Sequence, residues 1–89
     1  MNTIYQYDLP MDTGQTVSLP EGNPRAVMIQ DGKAVIWIEH NLDRIDNRKM
    51  VATCIGTGFS FDPETIGVYL GSVQESDAPF VWHYYLRTE

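Results

Sequence analysis

The sequence predicts an all-β chain, a small antiparallel sandwich or partly closed barrel of about seven strands. Three observations carry this. Gly, Pro, Asn and Asp recur every few residues, and the runs between them are short and rich in β-branched and aromatic side chains. Asp31-Gly32 separates two apolar runs, a strong hairpin signal because both central residues of a type I′ turn need positive φ. With 89 residues, one domain is expected.

Each element has its own justification. Thr3 to Leu9 places Tyr5, Tyr7 and Leu9 on one face, and Pro10 to Gly14 ends the run. Gln15 to Leu19 aligns Val17 with Leu19 before the turn Pro20-Glu21-Gly22-Asn23-Pro24. Arg25 to Gln30 and Lys33 to Glu39 form the Asp31-Gly32 hairpin. The stretch from Ala34 to Ile38 is apolar on both faces, as in a central strand. His40 to Lys49 is polar and reads as a long hairpin loop, with a single helical turn between Leu42 and Arg48 as the one helical alternative. Met50 to Thr57 resumes a strand in which Cys54, in phase with Met50 and Ala52, reads as a small core residue. Gly58 to Thr65, containing Asp62-Pro63, is a second loop. Ile66 to Gln74 and Phe80 to Arg87 form a last hairpin around Glu75-Ser76-Asp77-Ala78-Pro79. If Phe80, Trp82, Tyr84 and Leu86 face the core, then Val81, His83 and Tyr85 face the other way.

Composition narrows the function classes. Ten aromatic residues supply a small core generously, and a single cysteine excludes an intrachain disulfide and fits a reducing cytoplasm. Twelve acidic against six basic side chains give a formal charge of −6. That balance argues against general affinity for nucleic acid or anionic membranes, whose phosphates attract basic surfaces. The acids are scattered singly, which suits solubility better than mimicry of a polyanion. No apolar run approaches a membrane span, and Met1 to Tyr7 lacks the basic and apolar regions of a signal peptide.

No catalytic residues are assigned. One Cys and two isolated His provide no metal-ligand spacing, and neither His has a paired carboxylate or nucleophile at a known spacing. An enzyme, a metal and a cofactor are therefore not expected. The candidates for ligand binding fall in two loops and three aromatic positions. Gly56-Thr57-Gly58 offers backbone N–H groups to an anion, and Arg44, Arg48 and Lys49 lie just upstream in sequence. If the two loops meet, they make a small anion site; otherwise the glycines mark a bulge or strand exit and the charges a solvated loop. Trp37 fits either a core or a subunit interface, where Trp is enriched. Trp82, His83 and Tyr85 could contact or stack a base, although core packing is the commoner use of aromatics.

In order along the chain, several motifs resemble a family of short phage and prophage proteins with no assigned activity. They are Thr3-Ile4-Tyr5-Gln6-Tyr7, Leu19-Pro20-Glu21-Gly22, Gln30-Asp31-Gly32, the strand bearing Trp37, Gly56-Thr57-Gly58, Tyr69-Leu70-Gly71-Ser72 and Val81-Trp82-His83. The resemblance runs from Thr3 to Leu86. One departure is Phe59, where similar proteins often carry His directly after Gly-Thr-Gly. The resemblance implies a phage origin and an accessory role in the cytoplasm of the infected host. The expected function is non-catalytic binding: sequestration of a nucleotide-type anionic signal by a homo-oligomer. Two alternatives are inhibition of a host defence protein through an acidic or aromatic surface, and a minor virion or assembly component.

Overall fold

A computed structural model describes residues 1–44 and 47–89. Among these residues the chain forms seven strands and one helical turn. They are β1 (Asn2–Asp8), β2 (Thr16–Pro20), β3 (Asn23–Gln30), β4 (Lys33–Asn41), β5 (Lys49–Gly56), α1 (Pro63–Ile66), β6 (Val68–Gln74) and β7 (Val81–Thr88). All pairings are antiparallel. One sheet has the order β1-β4-β3 and the other β2-β5-β7-β6, so the two stack as a sandwich and do not close into a barrel.

Strand alternation builds the core. On β4, Ala34, Ile36 and Ile38 point inward; on β5, Met50, Ala52 and Cys54 do the same; Leu19 of β2, Val73 of β6 and Tyr84 of β7 complete the layer. Each of these side chains removes apolar area from water at about 25 cal/mol per Å². Tyr84 is the largest of the fully buried residues. Its hydroxyl donates to the Pro10 carbonyl at 2.6 Å, which ties β7 to the link between the sheets and satisfies the one polar atom that the burial brings in.

The Asp31-Gly32 hairpin forms with φ of 53° and 78° at the two residues, as a type I′ turn requires. Several expectations need correction. β4 and β5 belong to different sheets, so the stretch from His40 to Lys49 does not join a hairpin pair. A helical turn occurs at Pro63–Ile66; of the alternative between Leu42 and Arg48, Leu42 and Asp43 lie in a turn, and Ile45 and Asp46 are outside the described residues. The cause is local. Asp62 caps the turn by accepting from the Glu64 N–H at 2.9 Å, and Pro63 opens it where no N–H is needed. Phe80 stands outside β7 and is 55 % exposed, so the inward set on that strand is Trp82, Tyr84 and Leu86. β3 begins two residues before Arg25 and includes Pro24, which an edge strand with a bulge between Pro24 and Ala26 tolerates.

Among the glycines that space dictates, two lie at β6. A Cβ on Gly71 would lie 2.7 Å from Val27 Cγ2, where β6 of one sheet approaches β3 of the other. Gly67, at φ 98°, leads into β6 so close to β7 that a Cβ would sit 2.2 Å from the Leu86 carbonyl oxygen. Trp37 lies on the outer face of its sheet, half-buried, with its indole N–H donating to Gln6 Oε1 at 3.1 Å.

Tyr84 generates a prediction in two parts. Burial first, and then the neighbouring Cys54, push its phenol well above the ordinary value; burial also raises the Cys54 thiol. A raised folded-state pKa gives stability that is complete below the unfolded-state value and is lost as pH rises above it. Urea melts are expected to show wild-type stability falling above about pH 9, as thiol and phenol ionise only in the unfolded chain. Tyr84→Phe strands the Pro10 carbonyl and is expected to cost about 1–3 kcal/mol at pH 7, with a shallower loss between about pH 9 and 11 than wild type.

Candidate functional site

Turning Trp82, Tyr84 and Leu86 inward leaves Val81, His83, Tyr85 and Arg87 on the outer face of the four-stranded sheet. The neighbouring strands set what surrounds them. On β5, Val51, Thr53 and Ile55 stand opposite Arg87, Tyr85 and His83. On β6, Tyr69 pairs with Tyr85 and Ser72 with His83. Tyr69 and Ser72 share this face although three residues separate them, because the ladder slips between Tyr69 and Gly71. The chain after β5 then covers part of the face: Ile66 of α1 is buried, and α1 packs on β7.

Two kinds of group meet here. The first is a polar relay. His83 Nε2 lies 2.7 Å from Thr57 Oγ1, His83 Nδ1 lies 2.6 Å from Ser72 Oγ, and Ser72 Oγ lies 2.6 Å from the Tyr69 hydroxyl. A hydroxyl at each ring nitrogen can donate or accept, so the relay accepts either tautomer of the imidazole and also its cation. The second is aromatic. The Tyr85 ring lies 5.0 Å from Phe61 and 5.4 Å from Tyr69, the latter edge-on at 61°. Beside the rings runs an open groove of about 530 Å³ lined by Thr53, Ile55, Phe61, Asp62, Thr65, Ile66 and Arg87. Among the described residues Arg87 has no ion-pair partner, while the Asp62 carboxylate is engaged as the cap of α1.

The other histidine differs in kind. His40 Nδ1 faces the Glu21 carbonyl at 3.0 Å, and a carbonyl only accepts, so Nδ1 carries the proton. In the neutral ring Nε2 then accepts from the Tyr7 hydroxyl, 2.9 Å away. The imidazole thus joins β1, the end of β2 and β4 as a fixed structural clamp.

The residues singled out from sequence do not assemble as one site. Arg44, Arg48 and Lys49 precede or open β5, whereas Gly56, Thr57 and Gly58 follow its far end, roughly 23 Å away at about 3.3 Å per residue. One straight strand keeps the two loops apart, so the joint anion site is not formed within a protomer. Arg48 Nε instead contacts Glu21 Oε2 at 2.9 Å. The Gly56–Gly58 turn is not an open cradle either. Gly56 N–H points to Thr13 Oγ1 at 3.2 Å and Thr57 N–H to the Val81 carbonyl at 3.2 Å. Gly56 is small for packing reasons, since a Cβ there would meet Trp82 Cζ3 at 3.1 Å and Phe59 Cδ2 at 3.2 Å. The aromatic candidates scatter as well. Trp37 is on the other sheet's outer face, and Trp82 is turned inward with its N–H on Glu75 Oε1 at 2.8 Å. Thr57, His83 and Tyr85 are the candidates brought together.

Sequence reasoning missed Phe61, Tyr69, Ser72 and Arg87. Arg87 follows Tyr85 by two residues on a strand and was findable by alternation. Tyr69 and Ser72 were not, because their odd spacing hides a shared face until the bulge is known. Chemically, the face offers hydroxyls, an imidazole, stacking surfaces and one cation. The hydroxyl–imidazole contacts have the reach of a nucleophile and its base, yet among the described residues no carboxylate touches His83 to orient it. Nor do three His, Cys, Asp or Glu side chains converge anywhere among the described residues. No described helix is long and apolar enough to cross a membrane.

The family model described as "Domain of unknown function (DUF7352)" matches residues 1–89, and the chain belongs to that family. No curated protein and no solved structure matches the chain.

The relay yields a direct expectation. In nitrogen-15 spectra of the imidazoles, Ser72→Ala should move the Nδ1 resonance of His83 and Thr57→Ala the Nε2 resonance. Both should leave His40 unchanged. Each variant is expected to cost less than about 1.5 kcal/mol in urea unfolding, since water replaces the lost hydroxyl at an open face.

Proposed function

We propose that this protein is a small phage accessory protein that acts by binding and not by catalysis. Its ligand is a nucleotide-type anion, held on the outer face of β5, β7 and β6 in the cytoplasm of the infected host. The phage origin rests on the ordered motifs from Thr3 to Leu86 and on their resemblance to phage and prophage proteins. The binding role rests on one observation: aromatic rings, a hydroxyl–imidazole relay and a cation with no ion-pair partner among the described residues share one exposed face. Such a set matches the three parts of a nucleotide. Tyr85 with Phe61 stacks the base, Ser72, His83 and Thr57 hydrogen-bond the sugar or the base edge, and Arg87 takes the phosphate. The groove has the volume of a small-molecule site.

This reading moves the phosphate contact from Arg44, Arg48 and Lys49 to Arg87. A second reading, inhibition of a host protein, draws on exposed Tyr69 on this face and on exposed Phe59, Val68 and Phe80 elsewhere around the same sheet. Calorimetric titration with a panel of nucleoside monophosphates and cyclic dinucleotides separates the two. Sequestration predicts saturable binding of at least one of them. Arg87→Ala should weaken it about 10-fold or more and Tyr85→Ala by about 1–3 kcal/mol, with Arg44→Ala neutral. Absence of binding across the panel, or binding lost in Arg44→Ala and kept in Arg87→Ala, would contradict it.

A further inference from the structure

A sandwich of two open sheets has four strand edges, and three of them are guarded. β2 is five residues long and ends in Pro20. β3 carries Pro24 and a bulge, and its Val27 packs on β6 at Gly71. β6 is bulged between Tyr69 and Gly71 and lies against β3. These are the ordinary means by which proteins prevent strand addition. β1 has none of them. Its seven residues, Asn2–Asp8, contain no Pro, Gly or Lys, pair with β4 without a slip, and carry one charge, at Asp8. Ile4 is 54 % exposed on one side of this strand and Tyr5 is 51 % exposed on the other.

The hydrogen-bond phase of β1 is fixed at both ends. Leu9 N–H donates to the Ala34 carbonyl at 2.9 Å, and Leu42 N–H donates to the Met1 carbonyl at 2.8 Å. Odd-numbered residues therefore turn their main-chain groups toward β4, and Asn2, Ile4, Gln6 and Asp8 turn theirs away from it.

We propose that two copies of this chain associate by antiparallel pairing of β1 with β1 across a two-fold axis at Tyr5. The pair joins two three-stranded sheets into one continuous sheet. Self-complementarity selects this register. With the axis at Tyr5, Ile4 lies opposite Gln6 of the second copy and Asn2 opposite Asp8, so every outward N–H meets an outward carbonyl. Four such residues per copy give about eight main-chain hydrogen bonds. Sliding by two residues leaves main-chain groups unpaired at the ends. The lone acid meets an amide and not another acid, and the two Tyr5 rings face each other at a close, non-hydrogen-bonded position. The association makes no use of the β5–β7 face and stands or fails separately from ligand binding.

Sedimentation equilibrium at micromolar concentration is expected to return twice the 10.1 kDa chain mass. Ile4→Pro removes an outward N–H that β4 does not use and should return a monomer with an unchanged far-ultraviolet spectrum. Tyr5→Cys supplies a positive test that needs no destabilising change. Directly opposed, non-hydrogen-bonded Cα atoms stand about 4.5 Å apart, within disulfide range. Mild oxidation should therefore give a disulfide-linked dimer through residue 5, while the fully buried Cys54 stays reduced. A monomeric wild type, a folded Ile4→Pro that remains dimeric, or a Tyr5→Cys that does not cross-link would each overturn the proposal.

Discussion

The burial of Tyr84 sets the orientation of everything on the candidate face of this molecule. A phenol can lie in an apolar layer only if its hydroxyl finds an acceptor, and the Pro10 carbonyl supplies one. Once Tyr84 is anchored, the period of two fixes the rest of β7: Trp82 and Leu86 go inward, and His83, Tyr85 and Arg87 go outward. A slip of one residue would exchange the two sets and leave both an unpaired imidazole and an unpaired guanidinium in the core. The core and the candidate face are therefore one constraint seen from two sides.

The two histidines show how strand position converts the same side chain into different objects. His40 is held by a carbonyl that can only accept, so its ring has one neutral arrangement and serves as a clamp. His83 sits among hydroxyls that donate or accept, so its ring can exchange one arrangement for another without breaking the relay. Adaptability at an exposed face suits recognition of a polar ligand. Rigidity at a half-buried junction suits structure. The charge pattern agrees: among the described residues the ion pairs Arg25–Glu39 and Arg48–Glu21 lie away from this face, and the Asn2 amide and then Arg25 hold the Glu39 carboxyl below its usual range.

Much of the fold was legible because its signals are local. Asp31-Gly32, the alternation around Met50, Ala52 and Cys54, and the final hairpin each depend on residues a few positions apart. What was not legible depends on pairings made at a distance. The segment after His40 has the composition of a hairpin loop, and nothing within it reveals that β5 joins the other sheet. The Gly56–Gly58 turn looks like an anion cradle until its N–H groups are traced to Thr13 and Val81, which approach only in the folded chain. For the site, His83 and Tyr85 were findable from alternation. Ser72 and Tyr69 were hidden by a bulge, and Phe61 by a loop whose course over the sheet no local pattern encodes.

The account's central claim is that the outer face of β5, β7 and β6 is where this protein binds. Backbone amide shift mapping during titration with the nucleotide panel tests it most directly. A second groove, about 350 Å³, is lined by Glu21, His40, Arg44 and Arg48 among others. The account predicts perturbations confined to residues 53–57, 61–66, 69–72 and 83–87, with this second groove silent. Perturbations centred on that second groove, or an unchanged spectrum throughout, would contradict it.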